Sequence, residues 1–218
     1  MAGKSAPVRF GSIKPRLPLA LPGQRIGLLG GSFNPPHAAH LLITRTARRR
    51  LGLDAVWWVV TPGNPLKSRT ELLPLDQRMQ LCRELAPNPK IKITAFESGL
   101  SSTYTAATLA YLKKRLPAVN FVWLMGADNL ATFDQWQDWE GIAGLMPIAV
   151  VDRPGWRHRS LAGKAAQKLR RSYIPEARGL LLPQLKAPAW TFLTGRLSPL
   201  SSTQIRLRRR FIVKTNVD

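Results

Sequence analysis

The stretch Gly30-Gly31-Ser32-Phe33-Asn34-Pro35-Pro36-His37-Ala38-Ala39-His40 most constrains what this chain can become. It follows a short apolar run, 25–29, that reads as a strand, and precedes an apolar-periodic segment, 41–51, that reads as a helix. Two adjacent glycines let the backbone turn sharply and let a ligand approach it closely. Pro35 and Pro36 end the turn and suit a helix start. His37 and His40 stand three apart, so in a helix they share one face near its amino terminus. A glycine turn, unpaired helix N–H groups and two imidazoles facing one way predict a phosphate site.

Downstream, apolar runs of strand length alternate with segments of helical period. Strands are expected over 55–60, 91–95, 119–125, 147–151 and 189–193. Helices are expected over 75–86, from 101–105 to 116, and over 130–145, 161–169 and 201–211. The run 55–60 does not alternate, which suits a parallel sheet covered on both faces. This order predicts an α/β fold, a doubly wound, mostly parallel sheet of the Rossmann-like kind. There is no internal repeat and no break in composition that would mark a second domain. One domain over 24–218 is expected, preceded by a basic, flexible extension over 1–23. Ligands of such sheets bind outside the carboxyl ends of the strands, at a switch point. The segments 30–40, 62–67, 102–105, 126–128 and 201–206 fall at those ends or at the helix starts that follow.

The 218 residues include 33 Lys and Arg against 12 Asp and Glu, a net charge of +21 that favours anionic partners. The single cysteine, Cys82, excludes an internal disulfide and a multi-cysteine zinc site, and fits a cytoplasmic protein. No apolar run approaches the ~18 residues of a membrane span, and Pro18 interrupts the apolar piece that a signal peptide would need. G-x-G-x-x-G, a complete P-loop, H-E-x-x-H and G-x-S-x-G are all absent. No covalent nucleophile stands paired with a base.

The set of motifs resembles a known family. Residues 30–40 resemble the GG[ST]F[DN]PxHxGH motif of the nucleotidyltransferase α/β-phosphodiesterase superfamily. Leu200-Ser201-Ser202-Thr203-Gln204-Ile205-Arg206 resembles its carboxy-terminal ISSTxIR motif. Gly126-Ala127-Asp128-Asn129-Leu130, continuing through Phe133, Trp136 and Trp139, is similar to the GxDxLxxFxxWxxW stretch of one branch, the bacterial nicotinate-nucleotide adenylyltransferases. Pro62-Gly63-Asn64-Pro65-Leu66-Lys67, Thr103-Tyr104-Thr105 and Arg153-Pro154-Gly155 match in order and spacing. Ala39 stands where that pattern has glycine, and Leu66 where it often has histidine.

The resemblance implies a nucleotidyltransferase fold and adenylyl transfer from ATP to nicotinate mononucleotide, giving deamido-NAD and pyrophosphate. Mg²⁺ would be bound mainly through the ATP phosphates, with no metal-ligating residue on the chain. The mononucleotide phosphate attacks the α-phosphorus itself, which fits the missing nucleophile. By the same resemblance, His37, His40 and Arg206 are catalytic. Gly30, Gly31, Ser32, Phe33, Asp128, Arg153, Ser202 and Thr203 complete the ATP site. Lys67, Thr105, Trp136 and Gln137 bind the mononucleotide, with Trp136 stacked on the pyridine ring.

Simpler readings stand beside these. Phe133, Trp136 and Trp139 suit core packing, Asp128 a helix N-cap, Thr203 and Arg206 a plain capped helix, and Lys67 the surface. A nicotinamide-mononucleotide enzyme is the nearest alternative activity, and the tryptophan stretch argues against a phosphopantetheine one. A basic RNA-binding protein on the same fold is the alternative from another class. The tryptophans and basic clusters lie apart, so nucleic acid is not expected as the main partner. A homo-oligomer is compatible with the sequence.

Overall fold

In the computed structural model of the chain, residues 17–62, 72–100 and 104–195 are described, with 198, 200, 202, 203, 205 and 206. Among them, six strands form one sheet: β1 (Arg25–Gly31), β2 (Ala55–Val60), β3 (Ile91–Thr94), β4 (Asn120–Gly126), β5 (Ile148–Val151) and β6 (Trp190–Leu193). Their order is β3-β2-β1-β4-β5-β6 and every pairing is parallel. The chain winds outward one way from β1 and then crosses to β4 on its other side. The switch point therefore lies between β1 and β4, where Leu29 pairs with Leu124.

Both faces of the sheet are covered, which is why the central strands are apolar without alternation. In β2, Trp57 and Val59 enter one core while Trp58 and Val60 enter the other. Helices α1 (Ala38–Leu51) and α2 (Leu75–Leu85) supply Ala47, Leu51 and Cys82 to the Trp58 side. On the Trp57 side lie Leu109 and Leu112 of α3 (Thr105–Arg115). Helix α1 begins three residues before the segment 41–51 expected to be helical. His37 is its N-cap in an extended conformation, and left-handed Gly52 closes its far end through an N–H bond to the Arg48 carbonyl.

Two expected helices are broken. The segment 130–145 divides into α4 (Ala127–Leu130), a 3-10 turn at Phe133–Gln135 and α5 (Trp139–Leu145). Trp136 is extended and Asp138 left-handed at φ 51°, and the Asp138 carboxylate accepts the Gly141 N–H to start a new helix. The helix expected over 161–169 is instead α6 (Arg157–Leu161) and α7 (Lys164–Lys168), interrupted at Gly163, which is extended and caps α7. Two 3-10 stretches, Arg170–Ser172 and Glu176–Gln184, lead to β6. Of the expected closing helix 201–211, Ser202, Thr203, Ile205 and Arg206 are helical. Residues 1–16, 63–67 and 101–103 lie outside the described residues. Residues 17–23 run along the domain, with Leu17 and Ala20 packed on its core. No described helix is long and apolar enough to cross a membrane.

Gly30 belongs to β1, and a Cβ there would lie 2.4 Å from Cη2 of the buried Trp123 indole. The glycine makes room for a neighbouring strand's side chain. Gly30→Ala should lower stability by about 1–3 kcal/mol in urea unfolding. Trp123→Phe in the same chain should recover part of that loss.

Candidate active site

The turn after β1 differs from the one the paired glycines suggest. Gly30 and Gly31 complete the strand, and the left-handed residue is Phe33, at φ 47°. Phe33 is 1% exposed, its ring stacked 5.0 Å from Trp58 and 4.6 Å from His40. Trp58 is itself fixed, because its Nε1–H donates to Thr44 Oγ1 at 2.8 Å. A left-handed phenylalanine costs on the order of 1 kcal/mol, which this aromatic packing offsets.

The two histidines meet at the head of α1, with ring centroids 3.9 Å apart. The His37 N–H donates to His40 Nδ1 at 3.1 Å, so the proton of a neutral His40 sits on Nε2. Burial lowers His37 to about 4, with the Arg153 charge adding to the effect. Burial lowers His40 further, to about 3, with His37 and Arg153 contributing and the His37 N–H bond opposing in sign. Both imidazoles are neutral at pH 7. Ala39, between them, is buried in the first turn of α1.

Arg153 follows β5 and faces this pair. Its Nη1 donates to Asp128 Oδ2 at 2.5 Å and its Nη2 to the Leu200 carbonyl at 2.7 Å. Asp128 lies within α4, whose N-cap is Gly126, so it does not cap that helix. Its Oδ1 is buried with no partner. Ser202 Oγ donates to the Pro35 carbonyl at 2.9 Å, and Arg206 Nη1 to the Asn34 carbonyl at 2.7 Å. Arg206 Nη2 also approaches Thr203 Oγ1 at 3.4 Å. Ser202 and Arg206 are thus seated directly on the turn, and Arg153 ties Leu200 to the start of α4. His37, His40, Asp128, Arg153, Ser202, Thr203 and Arg206 belong to one connected group.

The described residues expected to hold the mononucleotide, Thr105, Trp136 and Gln137, come from the start of α3 and the stretch between α4 and α5. Phe133 and Trp139 are core residues. Trp136 is half-buried and meets Phe133 at 5.5 Å and Trp123 at 6.5 Å, edge to face. Trp123 links this aromatic corner to Gly30. Thr105 opens α3, half-buried, and Gln137 is exposed beside Trp136. Lys67 lies outside the described residues. Beside α3, buried Glu97 accepts the Thr108 hydroxyl at 2.8 Å, and burial pushes its carboxyl up to about 7. Sequence reasoning missed Trp58, Trp123 and Arg78. For Arg78 a signal existed: it sits on the apolar stripe of α2, three after Leu75 and four before Cys82.

Such a site, at the switch point of a doubly wound sheet, defines a nucleotide-handling α/β protein. The chain belongs to the cytidylyltransferase-like family, whose profile matches residues 28–208, and within it to the nicotinate-nucleotide adenylyltransferases. It is 54% identical over 184 residues to the probable nicotinate-nucleotide adenylyltransferase of Methylorubrum extorquens, covering 84% of this chain and all of that one. The probable enzyme of Mesorhizobium japonicum is 53% identical over 190 residues, 87% of this chain and 97% of its own. A Plasmodium falciparum nicotinic acid mononucleotide adenylyltransferase complexed with NaAD shares the fold, with TM-score 0.65 at 20% identity, over 84% of this chain and 82% of that one.

The depressed histidines link the site to stability. The unfolded chain protonates its histidines near pH 6.5, the folded protein only near pH 4 and 3. Between those values the unfolded state holds more protons, so stability falls as pH drops through the window. The loss by pH 5 should be on the order of 1–2 kcal/mol per histidine. Urea unfolding at pH 7 and 5 should show a smaller difference for His40→Asn than for the wild type. Arg153→Gln should raise both imidazole pKa values in an NMR titration.

Proposed function

We propose that this protein transfers the adenylyl group of ATP to nicotinate mononucleotide by direct in-line attack, without a covalent enzyme intermediate, in the cytoplasm. An oxygen of the mononucleotide phosphate bonds to the α-phosphorus of ATP, and the bond to the β-phosphate oxygen breaks. The products are deamido-NAD and pyrophosphate. The observation that carries the reading is the seating of Ser202 and Arg206 on the Pro35 and Asn34 carbonyls of the turn that leads into His37 and His40. Two segments far apart in sequence there present imidazoles, a guanidinium and hydroxyls to one place.

Catalysis in this reading is positioning plus neutralisation of charge on the transferring phosphoryl group. The neutral imidazoles of His37 and His40 bind phosphate oxygens as N–H donors, and the approaching negative charge raises their proton affinity. Arg206 adds a fixed positive charge. Gly30, Gly31, Ser32, Phe33, Ser202 and Thr203 surround the nucleotide, and Arg153 flanks it. The unpartnered Asp128 Oδ1 is an acceptor for a ribose hydroxyl. Trp136 stacks on the pyridine, while Thr105 and the backbone beside Gln137 donate to the nicotinate carboxylate. Lys67 meets the mononucleotide phosphate. ATP enters as its Mg²⁺ complex. In this reading the ion stays mainly on the substrate's phosphates.

Turnover of ATP with nicotinate mononucleotide, read as pyrophosphate release, tests the proposal. Release should be clearly faster than with nicotinamide mononucleotide. Equal rates would overturn the acid preference, and no pyrophosphate with either would overturn the activity. His40→Ala should lower kcat by about 10²–10³-fold, the range seen on removing one donor to a transition-state charge.

A further inference from the structure

One charged side chain is buried where, among the described residues, no opposite charge meets it. Arg78 of α2 is 1% exposed and is, with Cys82, one of the two fully buried residues of that helix. Its guanidinium has no carboxylate partner among the described residues. It donates instead to four main-chain carbonyls: Nε to Leu73 at 2.8 Å, Nη1 to Ser32 at 2.7 Å and Thr61 at 2.8 Å, and Nη2 to Pro62 at 3.3 Å. Burying a cation against neutral dipoles costs several kcal/mol before its hydrogen bonds are counted. An apolar side chain at this position would avoid that cost but leave the four carbonyls without their donor. Core packing alone therefore gives no reason for the arginine.

The acceptors do give one. Ser32 lies in the turn that carries the histidines. Thr61 and Pro62 are the first residues after β2 and lead into the segment expected to bring Lys67 to the mononucleotide. Leu73 is where the chain returns to α2. These acceptors lie on two connections, β1 to α1 and both ends of β2 to α2, which meet at the carboxyl end of the sheet, where Gly31 pairs with Val60 and the Thr61 N–H donates to the Gly31 carbonyl at 3.0 Å. A second tie runs alongside, from the Leu73 N–H to Asn34 Oδ1 at 3.3 Å. A planar fork with several fixed donors suits holding the first connection to both ends of the second at once.

We infer that Arg78 is a positioning residue for the transfer reaction, its buried guanidinium clamping the nucleotide turn at Ser32 to the loop after β2 and so setting the distance between the two bound substrates. The inference rests on the adenylyl-transfer reading above. Lysine keeps the charge but offers a single point of attachment, and methionine fills the space without either charge or fork.

The test compares Arg78→Lys and Arg78→Met with the wild type at a temperature well below all three melting points. Each variant should unfold cooperatively yet lose about 10- to 100-fold in kcat, the penalty of a reacting centre displaced by an ångström or so. Wild-type kcat and KM in folded variants would overturn the inference, because a merely structural arginine would lower only Tm. Should neither variant fold, the wild-type protein decides. The Arg78 Nε–H NMR resonance should shift on adding a non-hydrolysable ATP analogue alone and on adding nicotinate mononucleotide alone. A resonance indifferent to either ligand would overturn the clamp. Wild-type turnover is measured separately, so loss of the activity assignment and loss of the Arg78 role are distinct results.

Discussion

The parallel pairing of β1 with β4 governs where chemistry can occur in this protein. Because the chain winds away from β1 in both directions, the connections at the carboxyl ends of these two strands diverge and leave a crevice. The turn at 32–37 forms one wall of it and the start of α4 at Asp128 another. Parallel strands place all such ends on one edge of the sheet. Residues distant in sequence, such as Asn34, Asp128, Arg153 and Arg206, thereby come close enough for Arg153 to reach Asp128 and for Arg206 to reach the Asn34 carbonyl.

The crevice is built more from aromatic packing than from glycine flexibility. Trp58 stacks on Phe33 and holds it left-handed, Phe33 lies against His40, and Trp123 fills the space beside Gly30. Phe33 and Trp58 lie against His40, and desolvation by burial is the first cause of the depressed pKa values of both histidines. The same packing that fixes the turn thus fixes the protonation state. A neutral pair beside Arg153 costs less than a charged pair would, yet it still offers N–H donors to an anion.

The basic excess reported in the sequence takes two forms in the structure. Some cations sit on the surface in ordinary pairs, as Lys168 does with Glu140 and Arg25 with Asp54. Such exposed pairs contribute little to stability. Others are drawn inward to main-chain carbonyls: Arg78 to Ser32, Thr61, Pro62 and Leu73, Arg153 to Leu200, and Arg206 to Asn34. These inward arginines organise the loops around the crevice.

The sequence by itself determined most of the strands and the doubly wound, mostly parallel sheet, while their order came from the structure. Continuous apolar runs mark strands buried on both faces, and that signal is local. It also determined the family, through motifs at 30–40, 126–139 and 200–206 whose order survives in the chain. Helix continuity was legible only in part. The break at Asp138 depends on one carboxylate turning back to the Gly141 N–H, and apolar period is blind to such a cap. The burial of Phe133 and Trp139 and the partial exposure of Trp136 likewise came from tertiary packing, since helical spacing does not hold across an extended Trp136. Arg78 and the left-handed Phe33 could be explained only in three dimensions. Their partners are main-chain carbonyls and rings from other strands and loops, and sequence spacing carries no trace of a contact made through the backbone of a distant segment.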